Sequence, residues 1–201
     1  VFALIIGSCA GPEEAATTPS APIDGGEMAP IPPTGAELVE QAASFAASGD
    51  FNRALNLYDR ACSFPEKAAL PQFWREFGNL VELFIQQRVA EGESDGLLIA
   101  DLHREAAAHF AKSLDLPGAE QAVWINRAFA LRQAGDFNQA WEAVDAALAS
   151  LTPNLSQQLE IGRVGLALTI EAMQAGQAVP AAATTAGEQL HLATEIGRAH
   201  V

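Results

Sequence analysis

Residues 121–153 read QAVWINRAFALRQAGDFNQAWEAVDAALASLTP and predict two antiparallel helices joined by a tight turn. The first helix is indicated by three apolar residues that recur at i, i+4 and i+7 and so share one face: Trp124, Ala128 and Leu131. Gly135 can adopt the left-handed conformation that ends a helix, and Asp136 can cap the amides that open the next one. The second helix turns five residues toward the first, namely Phe137, Ala140, Val144, Ala147 and Leu148. Pro153 ends this helical hairpin.

The segment Gly35–Phe64 repeats the same pattern in register. Gly49 and Asp50 stand where Gly135 and Asp136 stand in the later hairpin. The matching apolar and small residues are Leu38, Ala42, Phe45, Phe51, Ala54, Tyr58, Ala61 and Cys62. Both hairpins resemble the tetratricopeptide repeat (TPR). The resemblance implies an all-α fold, a TPR-like α-solenoid of about four helical hairpins, but it names no reaction.

Two less regular hairpins complete the predicted TPR-like helical repeat domain, which spans residues 35–194. One has helices at Gln72–Ala90 and Gly96–Leu116, with Ser94 or Asp95 as the cap of the second helix. The other has weaker repeat features, and its helices are expected at Leu155–Ala175 and Ala181–Thr194.

The first nine residues resemble the signal of a bacterial lipoprotein. Val1–Ile6 are apolar but too few to span a bilayer, which needs about 20 residues. An apolar residue and two small ones precede Cys9, as in a lipobox, so residues 1–8 are expected to be the remnant of a signal peptide. The resemblance implies lipidation of Cys9, and Ala10 after it implies an outer-membrane location facing the periplasm. The alternative is a chance cysteine after an ordinary signal peptide or a transmembrane fragment.

Residues 9–34 are expected to be the lipidated cysteine and a disordered, proline-rich tether. Prolines, small residues and carboxylates dominate this segment, which leaves little apolar surface to bury. A random coil of this length would hold the domain about 25–30 Å from its anchor. At the other end, residues 195–201 read EIGRAHV, which a common short-read sequencing adapter can encode. We therefore expect a metagenomic fragment with a translated adapter, and a native helix end is the alternative.

The charge balance excludes one large class of partners. The chain carries 25 acidic and 11 basic residues, a net charge of −14, and no basic run. Nucleic-acid binding needs clustered lysine and arginine opposite the phosphates. We therefore expect no nucleic-acid partner.

The sequence offers no catalytic, metal or cofactor motif, and we expect that the protein is not an enzyme. His103 and His109 lie six residues apart, whereas two metal ligands on one helical face are typically four apart. Both histidines are therefore expected at the surface or at an edge. Cys62 occupies a position where the repeat has a small apolar residue, which favours packing over a redox role.

The resemblance to TPR proteins implies a groove lined by the first helix of each hairpin, where a protein or peptide partner would bind. The residues of those helices that do not face their own partner helix are Val39, Ala43, Arg75, Asn79, Glu82, Ile125, Phe129, Arg132, Leu166 and Ile170.

These features favour a non-catalytic, membrane-tethered TPR lipoprotein that acts as a protein–protein interaction adaptor in the bacterial cell envelope. The alternative is a helical-repeat lipoprotein that captures a sugar or another nutrient for an outer-membrane transporter.

Overall fold

The computed structural model describes residues 32–120, 122–150, 155–176 and 187. Within these ranges the chain forms eight helices and no strand, which confirms the all-α fold. The helices are α1 (Gly35–Ala47), α2 (Phe51–Ala61), α3 (Pro65–Ala68), α4 (Pro71–Ala90), α5 (Gly96–Leu114), α6 (Val123–Gln133), α7 (Phe137–Ser150) and α8 (Leu155–Gln174). Several predictions lie outside the described residues: Cys9, the tether before residue 32, the adapter segment, and the C-terminal helix other than Gly187.

The described residues divide into two compact units, one that ends at Ala69 and one that begins at Leu70. In the first unit, α1 packs against α2 and against the short helix α3. The predicted inner face is buried at most positions, including Leu38, Ala42, Ala54, Tyr58 and Ala61. Phe45 is half-buried. Cys62 is also buried, which fits the packing role predicted for it.

The two tight turns predicted from Gly-Asp pairs have the backbone geometry that the sequence requires. Gly49 and Gly135 both have a backbone φ of +80°, a conformation that residues with a Cβ atom rarely adopt. Each glycine amide bonds to a carbonyl three residues earlier, which closes the preceding helix. Asp50 then caps α2, because its Oδ1 accepts the amide hydrogen of Arg53 at 3.3 Å. Asp136 accepts a hydrogen bond from another helix, since Arg104 Nε of α5 donates to its Oδ2 at 2.9 Å.

Helix α1 begins with a reciprocal capping box between Thr34 and Glu37. The Thr34 hydroxyl accepts the Glu37 amide hydrogen at 3.2 Å, and the Glu37 carboxylate accepts the Thr34 amide hydrogen at 2.8 Å. Hydrogen bonds from the backbone amide and the hydroxyl of Thr34 lower the pKa of Glu37 below its ordinary value. The ionised carboxylate is therefore the form that stabilises the first turn.

We expect the protection of the first turn of α1 against hydrogen exchange to depend on the charge of Glu37. Because its folded-state pKa is lowered, the contribution is complete above the ordinary glutamate value of about 4.3 and is lost as the pH falls through the lower folded value. Amide exchange, corrected for intrinsic rates, should show Glu37→Gln less protected than the native chain near neutral pH and equal to it in acid. Glu40→Gln, at an exposed position of the same helix, should differ from the native chain at neither pH. An unchanged gap between Glu37→Gln and the native chain in acid would contradict the capping role.

The second unit is a chain of helices that pack on their neighbours in sequence, from α4 to α8, with α6 also contacting α8. Helix α4 begins at Pro71. Proline suits this first position because an amide hydrogen there would have no acceptor within the helix. Of the two residues predicted to cap α5, Asp95 does so, accepting the amide hydrogens of Leu97 and Leu98 at 3.0 and 3.3 Å. The loop before it is held by Glu93. Hydrogen bonds from the Asp95 amide and from Arg88 lower the pKa of this carboxyl.

The α4–α5 pair contains an unusually close approach at Gly78. A Cβ built at this glycine would lie 2.6 Å from Cε1 of the Phe110 ring. Phe110 is itself only 1% exposed, so its ring has no room to retreat. The absence of a side chain at residue 78 therefore allows α5 to seat Phe110 directly on α4.

The prediction that both histidines of α5 lie at the surface or an edge is wrong, because both are buried. His103 Nδ1 lies 2.9 Å from Glu82 Oε1. His109 stacks on Phe77 at 3.9 Å and on Trp74 at 5.7 Å between ring centroids. The aromatic side of α4 offers flat apolar surface to an imidazole ring, and spacing within α5 alone does not reveal that surface.

Candidate functional site

The predicted groove residues of the second unit lie on three helices whose side chains meet. Helix α6 packs directly on α8, and Asn126 Nδ2 of α6 donates to Asn79 Oδ1 of α4 at 3.4 Å. Arg132 of α6 reaches Glu171 of α8. We call this surface the α4–α6–α8 face and define it by seven of the predicted residues: Arg75, Asn79, Ile125, Phe129, Arg132, Leu166 and Ile170. The eighth predicted residue of this unit, Glu82, has a different environment.

The two arginines of this face are bound by carboxylates of the same chain. Arg75 pairs with Glu120, which lies just before α6, and its Nη2 is 3.9 Å from Glu76 Oε1. Arg132 Nη2 lies 3.2 Å from Glu171 Oε1, and both of these side chains are partly buried. An arginine so paired offers a partner's carboxylate less than an unpaired one, because binding would have to displace the internal ion pair.

Glu82 points into the second unit. Its Oε1 lies 2.9 Å from Nδ1 of His103 on α5, and its side chain is 15% exposed. The structure thus brings Glu82 to the α4–α5 interface, where a ligand on the α4–α6–α8 face has little access to it.

The apolar members of the face are exposed instead. Phe129 is 38% exposed, Leu166 49% and Ile170 46%, whereas Ile125 is half-buried. Among large apolar residues in the described ranges, these three belong to a small exposed group. Apolar side chains exposed together on neighbouring helices are typical of a surface that a partner covers.

Sequence reasoning missed two exposed apolar residues on the same helices. Leu83 lies four residues after Asn79 and is 44% exposed, and Met173 lies three residues after Ile170 and is 68% exposed. Those spacings keep each residue on the side of the helix already assigned to the face. Continuing the period by one turn in each helix would have found both.

Val39 and Ala43, the predicted groove residues of the first unit, lie on α1 and are half-buried and exposed, respectively. Neither lines the open groove of about 360 Å³ in that unit, which is formed by Phe45, Asn52, Arg53, Asn56 and Leu57. Arg53 lies over the Phe45 ring at 5.4 Å and also pairs with Asp50 at 3.3 Å.

The described parts of the chain hold no group of three or more His, Cys, Asp and Glu placed to bind a metal ion. In those same parts, none of the helices combines the length and the hydrophobicity that crossing a membrane requires. Cys9, the predicted lipidation site, lies outside them.

The chain matches no family model, and no curated protein matches it either. The TPR-like pattern is therefore a resemblance carried by the residues of the two hairpins. The geometry of the α4–α6–α8 face is the main guide to function.

Proposed function

We propose that the chain is a non-catalytic adaptor that binds a protein or peptide partner on the α4–α6–α8 face. The observation that carries the proposal is the exposure of Phe129, Leu166 and Ile170 on two helices that pack side by side. A partner that covers these side chains would gain roughly 25 cal/mol for each Å² of apolar surface removed from water.

A TPR-like arrangement of the helices is the second part of the proposal. Two observations support it. Equivalent small residues of the two hairpins, Ala42 with Ala128 and Ala54 with Ala140, are each completely buried. The first helices of successive hairpins in the second unit are also linked in order, α4 to α6 by a hydrogen bond and α6 to α8 by an ion pair. Short side chains at helix contacts allow the close packing on which helical repeats depend.

The setting we propose is the bacterial cell envelope, with the domain held by a lipid on Cys9 and a tether up to Thr34. The apolar run, the small residues before Cys9 and the proline-rich segment support it. More than one acyl chain is needed for stable anchoring, which lipoprotein processing would supply. In such a place the folded domain would collect partners near the membrane.

Substitution of Phe129 by glutamate tests the adaptor function. The tagged 201-residue chain should capture partners from envelope extract, and Phe129→Glu should reduce that capture at least about tenfold, because a charge would be buried in the contact. Leu97→Glu is the matched control. It adds the same charge at an apolar residue of α5 that is 80% exposed and lies outside the face. Equal capture by the native chain and both variants would contradict the proposal.

A further inference from the structure

We propose that the partner is an amphipathic helix recognised by its apolar side, and that ionic contacts contribute little to its affinity. The inference rests on the proposed function and names the chemistry of the partner. Its seat is a stripe of four residues at the α8 end of the face: Phe129, Leu166, Ile170 and Met173.

The spacing along α8 is that of a surface made for another helix. Leu166, Ile170 and Met173 follow one another at i, i+4 and i+7, so they form a continuous ridge on one side of α8. The opposite side of α8 is buried through Ile161, Leu168 and Ala172. The ridge is therefore separate from the core. Ridges of this kind pack into the grooves of a second helix.

The two arginines beside the stripe each have a carboxylate partner within the chain. Arg132 pairs with Glu171 at 3.2 Å, and Arg163, three residues before Leu166, pairs with Glu160 at 3.0 Å. A charged partner group seated beside Arg132 would have to displace its partly buried pair with Glu171, which opposes ionic recognition there. The surface therefore complements an uncharged apolar face.

A second copy of the chain is a poorer occupant than a different protein. Each copy carries a net charge of −14, so association of two copies is opposed by mutual repulsion. A helix from another protein, apolar on one side and neutral or basic on the other, meets no such penalty. We therefore assign the stripe to a partner chain.

The test uses the 201-residue chain and two labelled synthetic peptides of about 18 residues, five helical turns, composed of leucine, glutamine and equal numbers of lysine and glutamate. One peptide places leucine at i, i+3, i+4 and i+7, and the other has the same composition in an order that breaks the period. Fluorescence anisotropy should show at least about tenfold tighter binding of the amphipathic peptide. Its affinity should change by less than about twofold between about 50 and 500 mM NaCl, because screening affects charged contacts.

Variants of the chain then locate the binding. Ile170→Glu and Met173→Glu each change an exposed residue, so both should keep native helicity by circular dichroism and weaken the amphipathic peptide at least about tenfold. Leu97→Glu should bind as the native chain does. Equal affinity for the two peptides, a large loss of affinity in salt, unchanged binding by Ile170→Glu and Met173→Glu, or self-association of the chain in sedimentation would each overturn the inference.

Failure of this inference can be told apart from failure of the proposed function. If Phe129→Glu abolishes capture from envelope extract while the amphipathic peptide does not bind, the adaptor function stands and the assigned partner chemistry is wrong. If neither capture nor peptide binding occurs, both proposals fail.

Discussion

Replacement of Phe110 by alanine should lower the free energy of unfolding by about 3–5 kcal/mol, the usual cost of removing a buried aromatic ring. Phe110 is 1% exposed, and its ring lies on the backbone of Gly78. Deleting the ring leaves a cavity between α4 and α5 that neither helix can fill without moving. Because small domains are stable by only about 5–15 kcal/mol, this single change removes a large share of the total. Urea denaturation followed by circular dichroism measures it.

Leu97→Ala provides the control, since Leu97 is 80% exposed on the same helix and its truncation should change stability by no more than about 0.5 kcal/mol. A second pair of variants tests the contact itself. Gly78→Ala places a methyl group against the ring, whereas Gly78→Ala combined with Phe110→Leu relieves that crowding, so the two changes should be less than additive. A cost of less than about 1 kcal/mol for Phe110→Ala would mean that the α4–α5 contact is not as tight as the structure has it.

The contact between Gly78 and Phe110 illustrates what the sequence could reveal. Gly78 follows Trp74 by four residues, as Ala128 follows Trp124, so the repeat pattern has a small residue at position 78, where a neighbouring helix can come close. The pattern does not predict which side chain arrives, because that depends on the angle and offset at which α5 crosses α4. The turns at Gly49 and Gly135 were predictable because the requirement for φ of +80° is local.

For the candidate site too, the sequence predicts some features and not others. The side of each helix that carries Phe129, Leu166 and Ile170 follows from the 3.6-residue period, and these residues are exposed. The partners of the polar members depend on how separate helices pack. The pairing of Arg132 with Glu171, across α6 and α8, has no signal within either helix. The helical period therefore places the predicted groove residues on the same side of their helices, but in the structure only some of them are available for binding.

Glu82 is the residue for which the sequence and the structure suggest the most different roles. Its place beside Asn79 on α4 predicts a binding role, whereas its carboxylate lies 2.9 Å from the buried His103 Nδ1. Glu82→Ala should therefore lower the free energy of unfolding by about 1.5–3 kcal/mol, the range for a hydrogen bond to a charged group, because the imidazole loses its partner where water has little access. Thermal and urea denaturation would both report the loss.

Glu142→Ala is the matched control, since it removes the same side chain from an exposed position of α7 and should cost no more than about 0.5 kcal/mol. The double variant Glu82→Ala with His103→Leu should recover part of the loss, because it leaves no imidazole nitrogen without its partner. The amphipathic peptide should bind Glu82→Ala with unchanged affinity once the variant is folded. Weakened binding with native stability would instead return Glu82 to the binding surface. It would mean that the contact with His103 opens when a partner arrives.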